Sequence, residues 1–293
     1  MNGMRSAHPP TNRLARFLKT PKGYITAVLA GLTLIGALRP QDHAGLLNAA
    51  VAVITALILD GAVMKLQKRA LRLSGGGVIT ALIVADILGH ATSFPVIAAT
   101  TAVALSSKHI LRAGRKPIFN PAAFGLLFAI LVFTHTGQSW WGSLALLPVW
   151  LVSILIAGGL LVTLRVNKFP QVASFLGVYF LLLLAMAMLH IGLPSDTPGD
   201  ALRPPFVNTA LYLAFFMLTD PPTSPAPYRQ QILFGAIAAS VGTAIFATAG
   251  GLAYLLAGLL TANLGKVAWQ LAVKARAGGP GISRISAGDS PQS

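Results

Sequence analysis

Residues 215–225 read FFMLTDPPTSP, so an apolar run ends in an acidic residue followed by a proline-rich turn. A carboxylate at the end of a membrane helix is costly unless it contacts protein, water or a ligand. Asp220 is therefore a candidate functional residue. The rest of the chain has the same apolar character, since 55% of its residues are hydrophobic and only 10% are charged. Ordinary soluble domains have about 25% charged residues.

Ten apolar segments recur along the sequence, each long enough to cross about 30 Å of hydrocarbon as a helix. They lie at 22–39, 43–64, 76–93, 94–112, 120–136, 142–164, 171–191, 204–219, 229–248 and 250–272. The fold class predicted from them is an all-α polytopic membrane protein with about ten transmembrane helices. Trp140, Trp141 and Trp150 lie near segment boundaries, where tryptophan commonly anchors a protein at the membrane interface.

The positions of the basic residues predict the topology. All but two of the 22 Lys and Arg residues, Arg39 and Arg203, fall on alternate connections or on the terminal segments. The positive-inside rule then places both termini in the cytoplasm of a multi-pass protein of the inner (plasma) membrane. We expect a basic cytoplasmic arm at 1–21, a transmembrane domain at 22–275, and a disordered tail rich in Gly, Ser and Pro at 276–293.

Composition also excludes several kinds of site and partner. The chain has no cysteine, so it can form neither disulfides nor thiolate-bound metal or iron–sulfur centres. No nucleic-acid-binding motif is present, and the net charge of +15 is explained by topology and by attraction to anionic lipids. The lipid membrane is thus the expected partner, with no nucleic acid.

A short internal repeat divides the apolar region in two. The pattern TALxxA occurs at 80–85 and again at 209–214, five segments apart. A five-helix unit that is repeated once must insert in opposite directions, which gives an inverted repeat with halves of about 22–140 and 141–275. Folds of this kind place their sites at the interface between repeats, near broken helices.

Two further carboxylates lie within apolar segments and are candidates for an ion pathway. Asp60 and Asp86 would each be expensive to leave unpaired in a membrane. The alternative for Asp60 is an ion pair with Lys65 or another neighbour on its helix. The alternative for Asp86 is a buried structural hydrogen bond. The sequence leaves both pairs of readings open.

The segment FNPA at 119–122 places an Asx-Pro pair at the start of a helix, as DPP at 220–222 places one at the end of another. An ordinary interpretation is that Asn120 caps its helix and Pro121 occupies the first turn. The topology puts both pairs on the cytoplasmic side, however, so the two tips could enclose one polar ligand. An amide and a carboxylate would offer donors and acceptors to a planar heterocycle such as a flavin.

Several of these segments together resemble the RnfD/NqrB family, whose members are membrane subunits of Rnf-type electron transport complexes and of sodium-translocating NADH:quinone reductases. SGGGVITAL at 74–82 is similar to the family's DGSALVTGL-type opening of its third helix. The block at 108–125 keeps FNPA, and 215–224 is similar to its FFxxTDPVT segment. FGA follows at 234–236, and Asp60 falls where the family carries an acid. The resemblance covers about residues 40–270.

The resemblance implies a cofactor and partners. Asn120, Thr219 and Asp220, with Thr80 nearby, would surround a non-covalent flavin, riboflavin or FMN. Electrons would cross the membrane, coupled to Na⁺ or H⁺ movement, and further redox subunits would supply the other carriers. The family's long insertion with a threonine esterified to FMN is replaced here by the short connection at 134–141, which argues against covalent FMN. The first Asn of the family's NxFNPA is also replaced, near Lys116 and Pro117.

Two alternatives stay open on the same scaffold. The short connection at 134–141 and the repeat also suit a small-solute transporter or permease-like protein. An accessory membrane protein of a biosynthetic cluster, or a scaffold subunit with no ligand, is the other alternative. Without cysteine or a nucleotide-binding motif, the chain can be at most one subunit of an oxidoreductase or translocase complex.

Overall fold

A computed structural model describes residues 13–38, 43–68, 75–133, 136–144, 149–192, 199, 202–251 and 253–277. Most of the predicted basic arm and all but two residues of the predicted tail at 276–293 lie outside the described residues. The prediction of disorder for that tail is therefore untested.

The described chain is helical, which confirms the all-α prediction. The helices are α1 Arg13–Leu18, α2 Pro21–Gly36, α3 His43–Leu66, α4 Gly75–Ile87, α5 Phe94–Ile110, α6 Pro121–Val132, α7 Val149–Arg165, α8 Phe169–Leu189, α9 Pro204–Tyr212, α10 Tyr228–Ala249 and α11 Tyr254–Ala277. Each predicted segment contains the body of one helix from α2 to α11. The short α1 and a two-residue hairpin, β1 Arg112–Ala113 with β2 Lys116–Pro117, were not predicted.

Three helices among the described residues are long and apolar enough to span a membrane: Ala44–Leu66, Phe169–Leu189 and Tyr228–Ala249. Four more are apolar but shorter: Gly75–Ile87, Pro121–Val132, Trp150–Arg165 and Pro204–Met217. The count of ten membrane crossings therefore stays a prediction.

Proline marks the start of five helices, α2, α5, α6, α8 and α9. Its fixed φ suits the first turn, and its missing N–H is not needed there. Thr20 and Asn120 supply the side-chain caps for α2 and α6, accepting hydrogen bonds from the N–H groups of Gly23 and Ala123.

The segment predicted at 76–93 is helical only as far as Ile87. Leu88 forms an antiparallel bridge with Gln138, and the N–H of Gly89 donates to the carbonyl of Gly137 at 2.8 Å. At Gly89 a Cβ atom would lie only 3.2 Å from the carbonyl oxygen of Gly137, so glycine suits this close approach, and the extended pairing replaces the last turns of the helix. The segment predicted at 142–164 likewise becomes helical only at Val149, after a short 3₁₀ turn at Trp141–Ser143.

The prediction that three tryptophans anchor the protein at the membrane interface is wrong for two of them. Trp140 and Trp141 are only 4% and 5% exposed, whereas Trp150 is 66% exposed. The Trp141 ring packs against Gly36, where a Cβ atom would collide with it, and against Gly45, where a Cβ atom would lie only 3.0 Å from it. Its indole N–H donates to the carbonyl of Ala85 at 2.7 Å, so this side chain links α2, α3 and α4 internally.

Three helix pairs make matching contacts in the two predicted halves of the bundle, whereas the close packing of α3 on α4 has, among the described residues, no counterpart of similar extent between α8 and α9. In the first half α2 packs on α4, α3 on α5, and α5 on α6; in the second α7 packs on α9, α8 on α10, and α10 on α11. Contacts of α2 with α7 and of α6 with α11 join the halves. Thr80 and Thr209 of the TALxxA pattern are each the sixth residue of their helix, and each hydroxyl bonds the carbonyl four residues earlier.

Apolar side chains line the outside of the bundle, and polar side chains lie inside it. Examples more than half exposed are Leu34, Ile58, Leu131, Leu164, Leu181 and Leu271. Fully or almost fully buried polar residues include Asn48, Asp86, Gln171, Asn208, Gln231 and Asn263. Soluble monomers rarely expose apolar surface on this scale.

Candidate functional site

The Asp220 loop, residues 218–227, joins the end of α9 to α10. A π-helical turn at Leu213–Met217 precedes it. The carbonyl of Asp220 accepts hydrogen bonds from the N–H and the hydroxyl of Ser224, at 3.0 and 2.8 Å. The Asp220 carboxylate accepts one from the Thr223 hydroxyl at 2.7 Å. These bonds close the loop into a compact turn on its own residues.

Side chains from α6, α8, α10 and α11 hold the loop and the residue before it through backbone carbonyls. The donor–acceptor pairs are Asn120 to Met217 at 2.9 Å, Gln171 to Leu218 at 2.6 Å, Lys266 to Pro222 at 2.9 Å, Asn263 to Thr223 at 3.2 Å, Gln231 to Ala226 at 2.8 Å, and Lys168 to Pro225. The loop contains four prolines, which have no N–H, and buried carbonyls need partners. Long side chains from other helices supply those partners.

Asn120 is the side chain that connects the two Asx-Pro segments, Asn120-Pro121 and Asp220-Pro221. Besides donating to Met217, it accepts a hydrogen bond from the N–H of Ala123 at 3.0 Å. Its own N–H donates to Asn263 at 2.9 Å. The tips at Asn120 and Asp220 therefore lie together, but the protein itself engages both ends of the Asn120 amide. Direct contact of Asn120 with a ligand stays a prediction.

The two predicted threonines have local partners. The Thr219 hydroxyl donates to the carbonyl of Phe215 at 2.6 Å, within the π-helical turn. The Thr80 hydroxyl donates to the carbonyl of Gly76 at 3.0 Å, on α4. Both side chains are buried. Their hydroxyls can still accept a hydrogen bond, and their contact with a cofactor stays a prediction.

Two buried amides beside the Asp220 loop were missed by sequence reasoning. Gln171 and Gln231 are 0% and 1% exposed, and among the described residues neither side-chain oxygen has a hydrogen-bond partner. A buried acceptor without a partner costs about 1–3 kcal/mol, so these oxygens mark where water or a ligand would bond. The available signal was a glutamine in the first turns of each of two otherwise apolar helices.

The site is strongly electropositive. Burial raises the pKa of Asp220, against the opposing effects of Thr223, Lys266, Lys168 and Lys22. Burial, with repulsion from Lys266 and Lys116, lowers the pKa of Lys168 from 10.5 to about 8, against the opposing effect of Asp220. Three lysines, Lys22, Lys168 and Lys266, thus act on the single carboxylate of the loop, and Lys116 acts on Lys168.

The depressed pKa of Lys168 predicts a pH dependence. Between about pH 8 and its ordinary 10.5, the folded protein binds fewer protons at this lysine than the unfolded chain does. The stability of the wild type should therefore rise with pH across that window, relative to Lys168→Met. Detergent-induced unfolding of both proteins, followed from about pH 7 to about pH 10, measures the difference. Parallel pH profiles would contradict the prediction.

The ion-pair partner of Asp60 is not the one expected from its own helix. Its carboxylate lies 3.3 Å from the ammonium nitrogen of Lys108 on α5, and not beside Lys65. The prediction of a Lys65 pair is wrong because α3 packs closely on α5. Gly77 on α4 lies against the same carboxylate, and a Cβ atom there would overlap its oxygen.

Gly77→Ala should therefore displace Asp60 from Lys108 and destabilise the protein by about 1–3 kcal/mol through overpacking. The control is Gly31→Ala on α2, where a Cβ atom meets nothing within 4 Å; it should be neutral or gain up to about 1 kcal/mol. Adding Asp60→Ala to Gly77→Ala should recover part of the loss. Detergent unfolding measures all three, and equal stability of the two glycine variants would argue against the contact.

Asp86 joins three helices by hydrogen bonds. It is 0% exposed on α4, and its two oxygens accept bonds from Thr33 on α2 and Tyr212 on α9, both at 2.8 Å. The Thr33 hydroxyl also lies 2.9 Å from the carbonyl of Leu29. These partners lie in both predicted halves of the bundle and favour the structural hydrogen-bonding role of Asp86. Its role in ion movement stays a prediction.

The two candidate ion-pathway acids are not in contact. Asp60 lies against Gly77, and Asp86 is nine residues further along α4, a rise of about 14 Å. Any ion or proton passing between them would need intermediate groups. Neither acid belongs to the contacts that hold the Asp220 loop.

Comparison with known proteins adds no family assignment. The sequence matches no model of a known protein family, and no curated protein matches it either. The resemblance to the RnfD/NqrB family, carried by residues 119–122 and 215–224, therefore stays a prediction from the motifs.

Proposed function

We propose that this chain is an integral membrane redox subunit, similar to RnfD and NqrB, that holds a non-covalent flavin at the Asp220 loop. The observation that supports it best is the hydrogen bond between Asn120 and Met217, 97 residues apart in the chain. That bond brings together the two segments on which both the ligand hypothesis and the family resemblance depend.

The surroundings of the loop suit a flavin. The ring system offers both donors and acceptors, and its ribityl chain carries hydroxyl donors. The unpartnered amide oxygens of Gln171 and Gln231 would accept such donors. The lysines around Asp220 would stabilise the negative charge that a flavin gains on reduction. The protein thus supplies placement and electrostatics, and the flavin supplies the redox chemistry.

Membrane insertion is the second part of the proposal. The three long apolar helices and the apolar exterior with a polar interior favour a bundle surrounded by lipid. We infer that α2 to α11 form ten spans in two five-helix halves, in the inner membrane, with both termini cytoplasmic. The matching contacts of the two halves support the inverted repeat. Asp60 and Asp86 are the residues we propose for Na⁺ or H⁺ coupling.

Binding and reduction of a flavin test this function. The purified protein is supplied with flavin, freed of unbound flavin and reconstituted in vesicles, and dithionite is then added. The wild type should retain a flavin absorbance that dithionite bleaches, and Asp220→Asn should retain less flavin. Wild-type protein that retains no flavin that dithionite can reduce would contradict the proposal.

A small-solute transporter is the second candidate, favoured by one observation. The π-helical turn at Leu213–Met217 directly follows α9, so this helical segment ends irregularly, and Tyr212 at the end of α9 bonds the buried Asp86. Irregular helices next to a buried acid between two repeats are typical of transporters. Solute flux that Asp86→Asn abolishes without unfolding the protein would favour this candidate. No flux under any imposed gradient would count against it.

A further inference from the structure

Two lysines are anchored side by side on the Asp220 loop. Lys168, at the start of α8, is only 4% exposed, and its ammonium group donates to the carbonyl of Pro225. Lys266 on α11 donates to the carbonyl of Pro222 at 2.9 Å. An ammonium group carries three donors, so each lysine has donors left after its bond to the loop. The carbonyls fix the positions of both groups before any ligand arrives.

The positive charge at this place exceeds what the protein neutralises. Lys266 and Lys116 each act on Lys168 by repulsion, and Lys22 acts on Asp220 together with the other lysines. The carboxylate of Asp220 can offset only one of the positive charges on these four lysines. Repulsion among partly buried ammonium groups is unfavourable, and an anion bound between them would relieve it.

Two helix N-termini add to the positive electrostatic potential at the Asp220 loop. α10 begins directly after the Asp220 loop, and α8 begins after Lys168, whose side chain contacts that loop; neither helix has a side-chain cap. Their first N–H groups carry partial positive charge. Lysine side chains together with helix N-termini are a recurrent way to bind phosphate.

We propose that Lys116, Lys168 and Lys266 form a binding site for a phosphoryl group at the Asp220 loop. The group would be carried by a phosphorylated soluble ligand or by the headgroup of an anionic phospholipid. Lys168 and Lys266 contact the phosphoryl oxygens from fixed positions, and Lys116 approaches from the β1–β2 hairpin. The inference does not require a flavin, since it concerns the anionic part of a ligand alone.

Thermal unfolding with inorganic pyrophosphate tests the soluble source. The protein in neutral detergent should unfold at a higher temperature with pyrophosphate than with sodium chloride of equal ionic strength. Lys168→Gln with Lys266→Gln should lose the shift. Lys65→Gln with Lys274→Gln removes the same charge from exposed positions and should keep it. Equal shifts in all three proteins would overturn the proposal.

The lipid source is tested with vesicles of phosphatidylglycerol and of phosphatidylcholine. Stabilisation by phosphatidylglycerol that requires Lys168 and Lys266, without any effect of pyrophosphate, assigns the site to a lipid headgroup. No effect of either probe on the wild type overturns the proposal. Lys116→Gln, at an exposed hairpin position, covers the case in which the double variant does not fold. Lys116→Gln should weaken, by a few-fold, the binding of the probe that stabilises the wild type. Unchanged binding would overturn the role of Lys116.

Discussion

Replacing Asn120 with alanine should lower the stability of the protein by about 2–4 kcal/mol. The change removes the cap of α6 and leaves the buried carbonyl of Met217 with only the long bond, at 3.4 Å, from the N–H of Asp220. A lost cap costs about 1 kcal/mol, and a buried carbonyl that loses its short bond adds about 1–3 kcal/mol. Detergent unfolding followed by circular dichroism measures the loss.

Asn120→Ser separates the two contributions. Serine is a good helix cap but is too short to reach the Met217 carbonyl, so this variant should lose only the second part. Because Met217 directly precedes the Asp220 loop and both variants lose the bond to it, both should weaken flavin binding, whereas only the alanine variant also loses the cap of α6. If alanine and serine at position 120 are both as stable as the wild type, the link between the tips is energetically unimportant.

Gly235→Ala should have the second large effect. A Cβ atom at Gly235 would collide with the carbonyl of Gln171 and lie 2.9 Å from the backbone nitrogen of Phe175, both on α8. Backbone atoms cannot move aside as a flexible side chain can, so α8 and α10 must separate. We expect a loss of about 3 kcal/mol, at the upper end for overpacking, and displacement of Gln171 from Leu218.

The matched control is Gly177→Ala on α8, where a Cβ atom meets nothing within 4 Å. This variant should be neutral or slightly more stable, since alanine favours the helix by up to about 1 kcal/mol. Detergent unfolding compares the two substitutions in the same protein. Equal stabilities would show that α8 and α10 do not approach at Gly235 as described.

Sequence patterns predicted the helices well because apolar length is a local property. The segments at 43–64 and 229–248 differ from α3 and α10 by at most two residues at either end. The helix ends that were predicted at the wrong residue depend on contacts with residues far away in the sequence. The segment at 76–93 stops being helical at Ile87 because Gly89 pairs with Gly137, and no local signal marks that pairing.

The candidate site was predicted only in part for the same reason. Asn120 and Asp220 were recognisable from their neighbouring prolines and from the cost of polar groups in apolar segments. Their connection runs through the backbone carbonyl of Met217, which no sequence pattern reveals. Lys168 and Gln171 belong to the site because α8 begins beside the loop. A lysine at a helix start looks like an ordinary topology signal until its carbonyl partner is known.

The most direct test of the account is the flavin content of the protein purified in mild detergent. We predict a flavin absorption spectrum, or a clear rise in unfolding temperature when riboflavin or FMN is added, since a ligand at 100 times its Kd stabilises the folded state by about 2.7 kcal/mol. Asp220→Asn should reduce either effect. A colourless protein whose unfolding temperature is unchanged by both flavins would contradict the proposed role.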